Sequence, residues 1–256
     1  MIRFAGYAYD AMRLASAYGP GQALRIIRAL LGKDAVVLFR QRGRTYVMPN
    51  GLSTKYHLLE SVDKLRRLSE FVRPDDQVIV DIGAHSGLFS AFSLEHATHA
   101  TALCVEPQVT MIPVIERNLA PHARWKLVTA AVADTAGRAD FYQASSSQES
   151  SLVPSTIRSA SQQTTVRTVT LDELCAGFEQ IDVMKIDVQG AEHLVLQGGQ
   201  RTIARVRTLL IEVSLADPQP HLVLQRLVDA FGPWQFVNAV YAGADLVFER
   251  QATIAS

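Results

Sequence analysis

The apolar positions of this 256-residue chain follow two rhythms. Up to Pro74 they recur mainly at helical spacing, and from Gln77 onward short apolar runs alternate with helical stretches. Residues 2–18 and 22–31 place apolar side chains three and four apart, and Gly19-Pro20-Gly21 between them must interrupt the helix. Ala35 to Phe39 and Thr45 to Met48 flank Gln41-Arg42-Gly43-Arg44, a pattern that predicts a β-hairpin with glycine in its turn. Residues 55–72 return to the helical period before Pro74.

Beyond that point strands are expected at 77–82, 101–106, 126–132, 181–187 and 207–213, and helices at 87–97, 108–119, 190–205 and 219–230. Such alternation is the mark of a parallel sheet covered by helices, since each parallel crossover needs a dozen or more residues. Residues 234–240 and 244–250 are joined only by Tyr241-Ala242-Gly243, too short a link for that, so the last pair must be antiparallel. The expected fold is α/β: a doubly wound, seven-stranded, mostly parallel sheet in residues 75–256, behind a helical and hairpin extension in residues 1–74. One region breaks the rhythm. After an extra strand at Ala139 to Gln143, residues 144–163 form a long polar stretch, and a lid or binding loop accounts for it better than an inert insertion.

Composition changes this picture little. Apolar residues make up 48% and charged residues 20%, as in ordinary globular enzymes. No apolar run reaches the roughly 18 residues that span a bilayer. Met1 to Gly6 lacks the basic flank and apolar stretch of a signal peptide, so the expected location is cytoplasmic. Cys104 and Cys175 have no CxxC partner and read as small packing residues. The net charge of zero hides an asymmetry: residues 1–67 hold 12 Lys and Arg against 4 Asp and Glu, and the remainder 13 against 21. A basic arm of this kind suits an anionic partner such as a phosphorylated carrier or a membrane-surface headgroup. Solvated helix faces beside an acidic core are the plainer account. No nucleic-acid-binding motif accompanies the charge, so no nucleic-acid partner is expected.

The chemistry-bearing residues stand at strand ends. Val78-Ile79-Val80-Asp81 is apolar until its carboxyl end and then turns through Ile82-Gly83-Ala84-His85-Ser86-Gly87 into a helix. Ligands of open α/β sheets bind there, where strand order reverses, and glycines let the backbone approach them. The next strand ends in Glu106-Pro107, 25 residues after Asp81, and an acid at that place can accept both hydroxyls of a ribose. The glycines match neither G-x-G-x-x-G nor G-x-x-x-x-G-K-[ST], which points to an adenosyl ligand without a phosphate. A later strand, Val183 to Asp187, again carries an acid to its end and continues Val188-Gln189-Gly190-Ala191-Glu192. Lys185, two residues back on the same face, is expected to pair with a neighbouring acid.

These blocks together resemble the FkbM-like methyltransferases of the class I superfamily. The resemblance runs from about Tyr46 to Val213 and rests on Val80 to Gly87, Val105-Glu106-Pro107, Thr170-Leu171-Asp172-Glu173-Leu174 and, most specifically, Lys185 to Glu192. It implies S-adenosyl-L-methionine as cofactor, with Asp81, Gly83, Ala84, His85 and Gly87 at its methionyl end, Glu106 and Pro107 at its ribose and Asp134 beside its adenine. It also implies a small-molecule or carrier-linked hydroxyl acceptor, on a sugar, a polyketide or a related natural product, and residues 1–74 are expected to cap that acceptor's site. Members usually carry Asn where this chain has His85.

A hydroxyl is a poor nucleophile, so a base should take its proton as the methyl is transferred. Asp187 is the first candidate and His85 the second, ahead of His57 and His193; a carboxylate that merely caps a helix is the plainer account of Asp187. A divalent metal held by Asp187, Glu212 and a histidine would suit carboxylate oxygens, but no compact ligand spacing supports it and none is expected. Two other functions share these features. A nicotinamide-dependent oxidoreductase should carry a glycine-rich pyrophosphate loop, which is missing; a non-catalytic scaffold should not need the Asp81–Gly87 loop intact.

Overall fold

The computed structural model describes residues 12–32, 35–50, 52–144, 150–154, 160–215, 217–240 and 243–250. Residues 12–18 are helical (α1) and lead through Gly19, at φ +79°, into α2 (Pro20–Leu31), which buries Ala23, Ile26 and Leu30. Proline suits a first helical position because that N–H has no partner within the helix. Strands β1 (Val36–Gln41) and β2 (Arg44–Pro49) form the expected hairpin, its turn made by Arg42 and Gly43, both at positive φ. Two positive φ values match the twist of the flanking strands. Helix α3 (Leu52–Ser69) follows.

The central sheet contains β3 (Val78–Ile82), β4 (Thr101–Val105), β5 (Trp125–Val128), β9 (Ile181–Ile186), β10 (Val206–Ser214), β11 (Trp234–Val240) and β12 (Gly243–Glu249), in the order β11-β12-β10-β9-β3-β4-β5. From β5 to β10 neighbours run parallel; β12 is antiparallel to both β10 and β11. The chain winds outward from β3 to β5 and then returns to β9 on the other side of β3. Strand order therefore reverses between β3 and β9, and the crevice lies at their carboxyl ends.

Three expectations need correction. The strand expected at 126–132 is two: after Val128 the chain leaves the sheet, and β6 (Ala131–Ala133) joins β7 (Gly137–Ala144) and β8 (Ala160–Thr170) in a separate three-stranded sheet. The polar stretch expected to be loop through residue 163 is strand from Ala160 onward. The helix expected at 190–205 is broken into α7 (Glu192–Gln197) and α8 (Gln200–Ile203) at Gly198 and Gly199. A Cβ on Gly198 would stand 2.2 Å from the Ala133 carbonyl, so the break is where β6 packs against the helices. Between β8 and β9, Thr170 and Glu173 form a capping box on α6 (Leu171–Leu174), which explains that block of sequence locally.

Two buried clusters cover the sheet. One joins Phe39, Tyr46 and Met48 of the hairpin to α4 (Leu88–His96), α5 (Ile112–Leu119) and one sheet face. Tyr46 stacks on Phe39 and meets Phe92 edge-on, so the N-terminal elements share their core with α4. The other lies under α7 and α9 (Pro220–Phe231). Cys104 and Cys175 are buried free thiols, as packing residues should be. Among the described residues no helix is long and apolar enough to cross a membrane.

Candidate functional site

The β3–α4 loop is shaped by three residues in the left-handed region: Gly83 (φ +74°), His85 (φ +48°) and Gly87 (φ +71°). Gly83 admits no side chain, because a Cβ there would lie 2.0 Å from the Asp187 carbonyl oxygen. The N–H groups of Gly83 and Ala84 both donate to the Val105 carbonyl, at 3.0 Å each. Buried Asn118 of α5 ties the loop to the hairpin, donating to the Ser86 and Val47 carbonyls and accepting from the Val47 N–H. The φ of His85 suits both His and Asn, which tolerate the left-handed region better than most side chains. Burial lowers the His85 pKa to about 4, opposed by the nearby Asp187, so its ring is neutral and weakly basic at neutral pH.

Glu106 is 3% exposed and turns toward this loop. Its Oε2 accepts the His85 N–H at 2.8 Å and its Oε1 the Gln108 N–H at 2.9 Å, which fixes the carboxylate without neutralising it. Burial pushes its pKa up to about 7 against those two hydrogen bonds. Each oxygen keeps a lone pair for a further donor. Half-exposed Pro107 fixes the chain direction just beyond it.

The floor of the crevice is a charge network. Fully buried Asp81 accepts from Ser90 Oγ (2.8 Å) and Lys185 Nζ (3.3 Å), the ion pair expected of Lys185. Lys185 also donates to the Gly83 carbonyl and lies 3.6 Å from Asp187. Asp187 in turn faces Lys64 of α3 at 3.5 Å and accepts from Gln189 Nε2 at 2.7 Å. Burial opposes this charge, but the two ammonium groups hold the Asp187 carboxyl well below the usual carboxylate range. A carboxylate so stabilised is a poor proton acceptor.

Lys64, Glu212 and Asp245 belong to the same network; sequence reasoning missed Lys64 and Asp245 and gave Glu212 only as a metal ligand beside Asp187. Glu212 stands near the carboxyl end of β10, two residues before Ser214, and Asp187 directly follows β9, so the strand-end rule points to both; Lys64 sits among other charges on a helix and gives no such signal. Asp134 is not brought to this network. It is exposed beyond β6 beside Gly198, and its hydrogen-bond partner among the described residues is Thr135 Oγ1 at 3.4 Å. His193 pairs with buried Asp217 at 3.0 Å, while the side chain of His57 lies outside the described residues. Of the polar stretch after β7, Ser151 is described, and its hydroxyl donates to the Val188 carbonyl at 3.4 Å. Among the described residues no group of three or more His, Cys, Asp or Glu is arranged to hold a metal ion.

Residues 81–232, from the crevice loop to the end of α9, match the methyltransferase FkbM domain. The chain belongs to the FkbM methyltransferase family. This FkbM methyltransferase is 29% identical over 197 residues to the 2-O-methyltransferase NoeI of Sinorhizobium fredii, a match covering 70% of this chain and 81% of NoeI. It is 28% identical over 193 residues to the AMB antimetabolite synthetase AmbE of Pseudomonas aeruginosa, covering 59% of this chain but 9% of that much longer protein. An rRNA methylase from Streptococcus thermophilus is similar in structure, with a TM-score of 0.46, 15% identity and 76% and 96% of the two chains covered. That likeness is too distant to argue a substrate from.

Proposed function

We propose that this methyltransferase moves the methyl group of S-adenosyl-L-methionine to a hydroxyl oxygen of a small-molecule or carrier-linked acceptor, on a sugar, a polyketide or a related natural product. The observation that carries the reading is the meeting of the Gly83–Gly87 loop with the anchored, un-neutralised carboxylate of Glu106. A carboxylate with a free lone pair on each oxygen fits a ribose diol, and the loop's departure from phosphate cradles fits a nucleoside without phosphate. The name of NoeI, a 2-O-methyltransferase, supports oxygen as the acceptor atom.

When bound, S-adenosyl-L-methionine supplies an electrophilic methyl on a sulfonium. The chain's own work is then alignment, which for well-oriented reactants is worth about 7–11 kcal/mol. Glu106 would hold the ribose through two charge-assisted hydrogen bonds. Asp81 and Lys185 brace the loop under the methionyl end, and Gly83 lets the backbone come close. Asp187, fixed as a carboxylate between two ammonium groups, would orient the cofactor's cationic end. Residues 150–154, touching Val188 through Ser151, and the N-terminal elements would wall the acceptor site and exclude water.

Calorimetric titration of the purified protein with S-adenosyl-L-methionine and separately with NAD tests the reading, together with transfer of radiolabelled methyl to a panel of methyl glycosides and polyols. Binding of the first ligand alone, with label recovered as an alkali-stable ether, is expected. Binding of NAD alone would return the reading to an oxidoreductase, and binding of neither to a scaffold.

A further inference from the structure

Asp187, Glu212 and Asp245 close around the one ammonium of Lys64, at 3.5, 2.5 and 2.9 Å. The pairing of the sheet brings them there. Glu212 lies opposite Asp245 across β10 and β12, and Ile211 pairs with Ile186, which sets Glu212 beside Asp187. The three carboxylates differ in what holds them. Asp187 answers two ammonium groups and an amide, so its charge is fully engaged. Asp245 has a side chain 2% exposed; its Oδ1 meets Lys64 and its Oδ2 has no hydrogen-bond partner among the described residues. Glu212, near the carboxyl end of β10, reaches solvent with 12% of its side chain exposed, as Asp187 does with 18%. Its Oε2 meets Lys64, while its Oε1 takes one bond from a neutral amide, Gln189 Nε2 at 3.2 Å.

We propose that Glu212 is the catalytic base that receives the acceptor's hydroxyl proton, and that Lys64 is a positioning residue holding it at the crevice. This rests on the methyl-transfer reading above. In the step, a lone pair of the acceptor oxygen forms the O–CH3 bond as the S–CH3 bond breaks, its electron pair remaining on sulfur. The hydroxyl proton passes to Glu212 Oε1. The products are a methyl ether, a neutral thioether and a neutral Glu212 carboxyl, which returns its proton to solvent. Burial and the charge of Asp187 push Glu212 up to about 7; Lys64 opposes this and Asp245 adds to it. Lys185, beside Asp187, and Glu192, whose carboxyl is pushed by burial well above the usual carboxylate range, complete the titratable surroundings. Unequal surroundings of this kind separate the acid–base roles of neighbouring carboxylates.

The test is a pH titration of the full-length protein labelled with 13C at glutamate side chains, the Glu212 signal being the one lost in Glu212→Gln. Its midpoint is expected near 7. It should rise by about one pH unit in Lys64→Met, fall by about one in Asp245→Asn, and stay in place in the charge-conserving Lys64→Arg. Glu212→Gln should bind S-adenosylhomocysteine as the unaltered protein does and lose about 100-fold or more in methyl transfer. A Glu212 that titrates in the ordinary carboxylate range overturns the proposal, as does a Glu212→Gln variant that transfers methyl within about tenfold of the parent. Should Lys64→Met fail to fold, Asp245→Asn and Lys64→Arg still read the coupling. Failure of the unaltered protein to bind S-adenosylhomocysteine would be a different result, removing the methyl-transfer reading and this proposal with it.

Discussion

Replacing Glu106 by Gln probes the cofactor side of the crevice without altering its volume. Glu106 is buried, both oxygens accept backbone N–H groups, and among the described residues it forms no ion pair. A rise in pKa from 4.5 to about 7 corresponds to about 3 kcal/mol in favour of the neutral acid. The folded protein therefore holds this proton more tightly than the unfolded chain, and the group's contribution to stability falls as pH rises from 4.5 to 7, staying low above that. Glutamine does not titrate, but its NH2 must face the N–H of His85 or of Gln108, at a cost of about 1–3 kcal/mol. The variant should then be less stable than the parent at acid pH and close to it at pH 8. Urea unfolding of both proteins at pH 4.5 and pH 8 measures this, and the difference between them should move by about 3 kcal/mol. A difference constant to within about 0.5 kcal/mol would refute the assignment of a buried, un-neutralised acid. The same linkage acts on the ligand: calorimetry at pH 7 in buffers of different ionisation enthalpy should show proton release with S-adenosyl-L-methionine. The Gln variant should show none from this group and bind about tenfold or more weakly.

Gly83→Ala places a Cβ 2.0 Å from a carbonyl oxygen at φ +74°, so a melting-temperature scan should show a severely destabilised protein; a normal melt would mean the loop is not seated on Asp187. His85→Asn should melt at or slightly above the parent temperature and keep methyl transfer within a few-fold. A loss of about 100-fold would instead give the imidazole a chemical role. Asp187→Asn takes one carboxylate from Lys64 and Lys185, which keep Glu212, Asp245 and Asp81, and should lower unfolding free energy by about 1–3 kcal/mol, read by chemical denaturation; a near-neutral effect would deny the network its part in stability.

Much of the central sheet was legible because its strands are apolar runs bounded by turn residues and its last link is too short for a crossover. The acids at strand ends were legible for the same reason: a carboxylate closing a buried strand has few places to point other than the crevice. Ala130 to Val132 continues the apolar run of β5 with only Thr129 between, so the chain's exit from the sheet was hidden, although Gly198-Gly199 marked the helix break that accommodates it. Residues 160–163 of β8 read as loop because they are mostly polar, yet Thr164, Thr165 and Val166 directly after them are β-branched, and that was the available signal. Lys64 could not be singled out from Lys55, Arg66 and Arg67 on α3, since only the packing of α3 decides which cation meets the carboxylates near the strand ends.

That packing bears on how such a catalytic unit can be moved between proteins. The segment matching the family, 81–232, contains Asp187 and Glu212, whereas Lys64 and Asp245 lie on either side of it. A chimaera cut at the borders of the match would carry two of the three carboxylates and leave behind the ammonium between them. The smallest portable piece is set by the reach of the Lys64 ion pairs, and here it extends from α3 through β12.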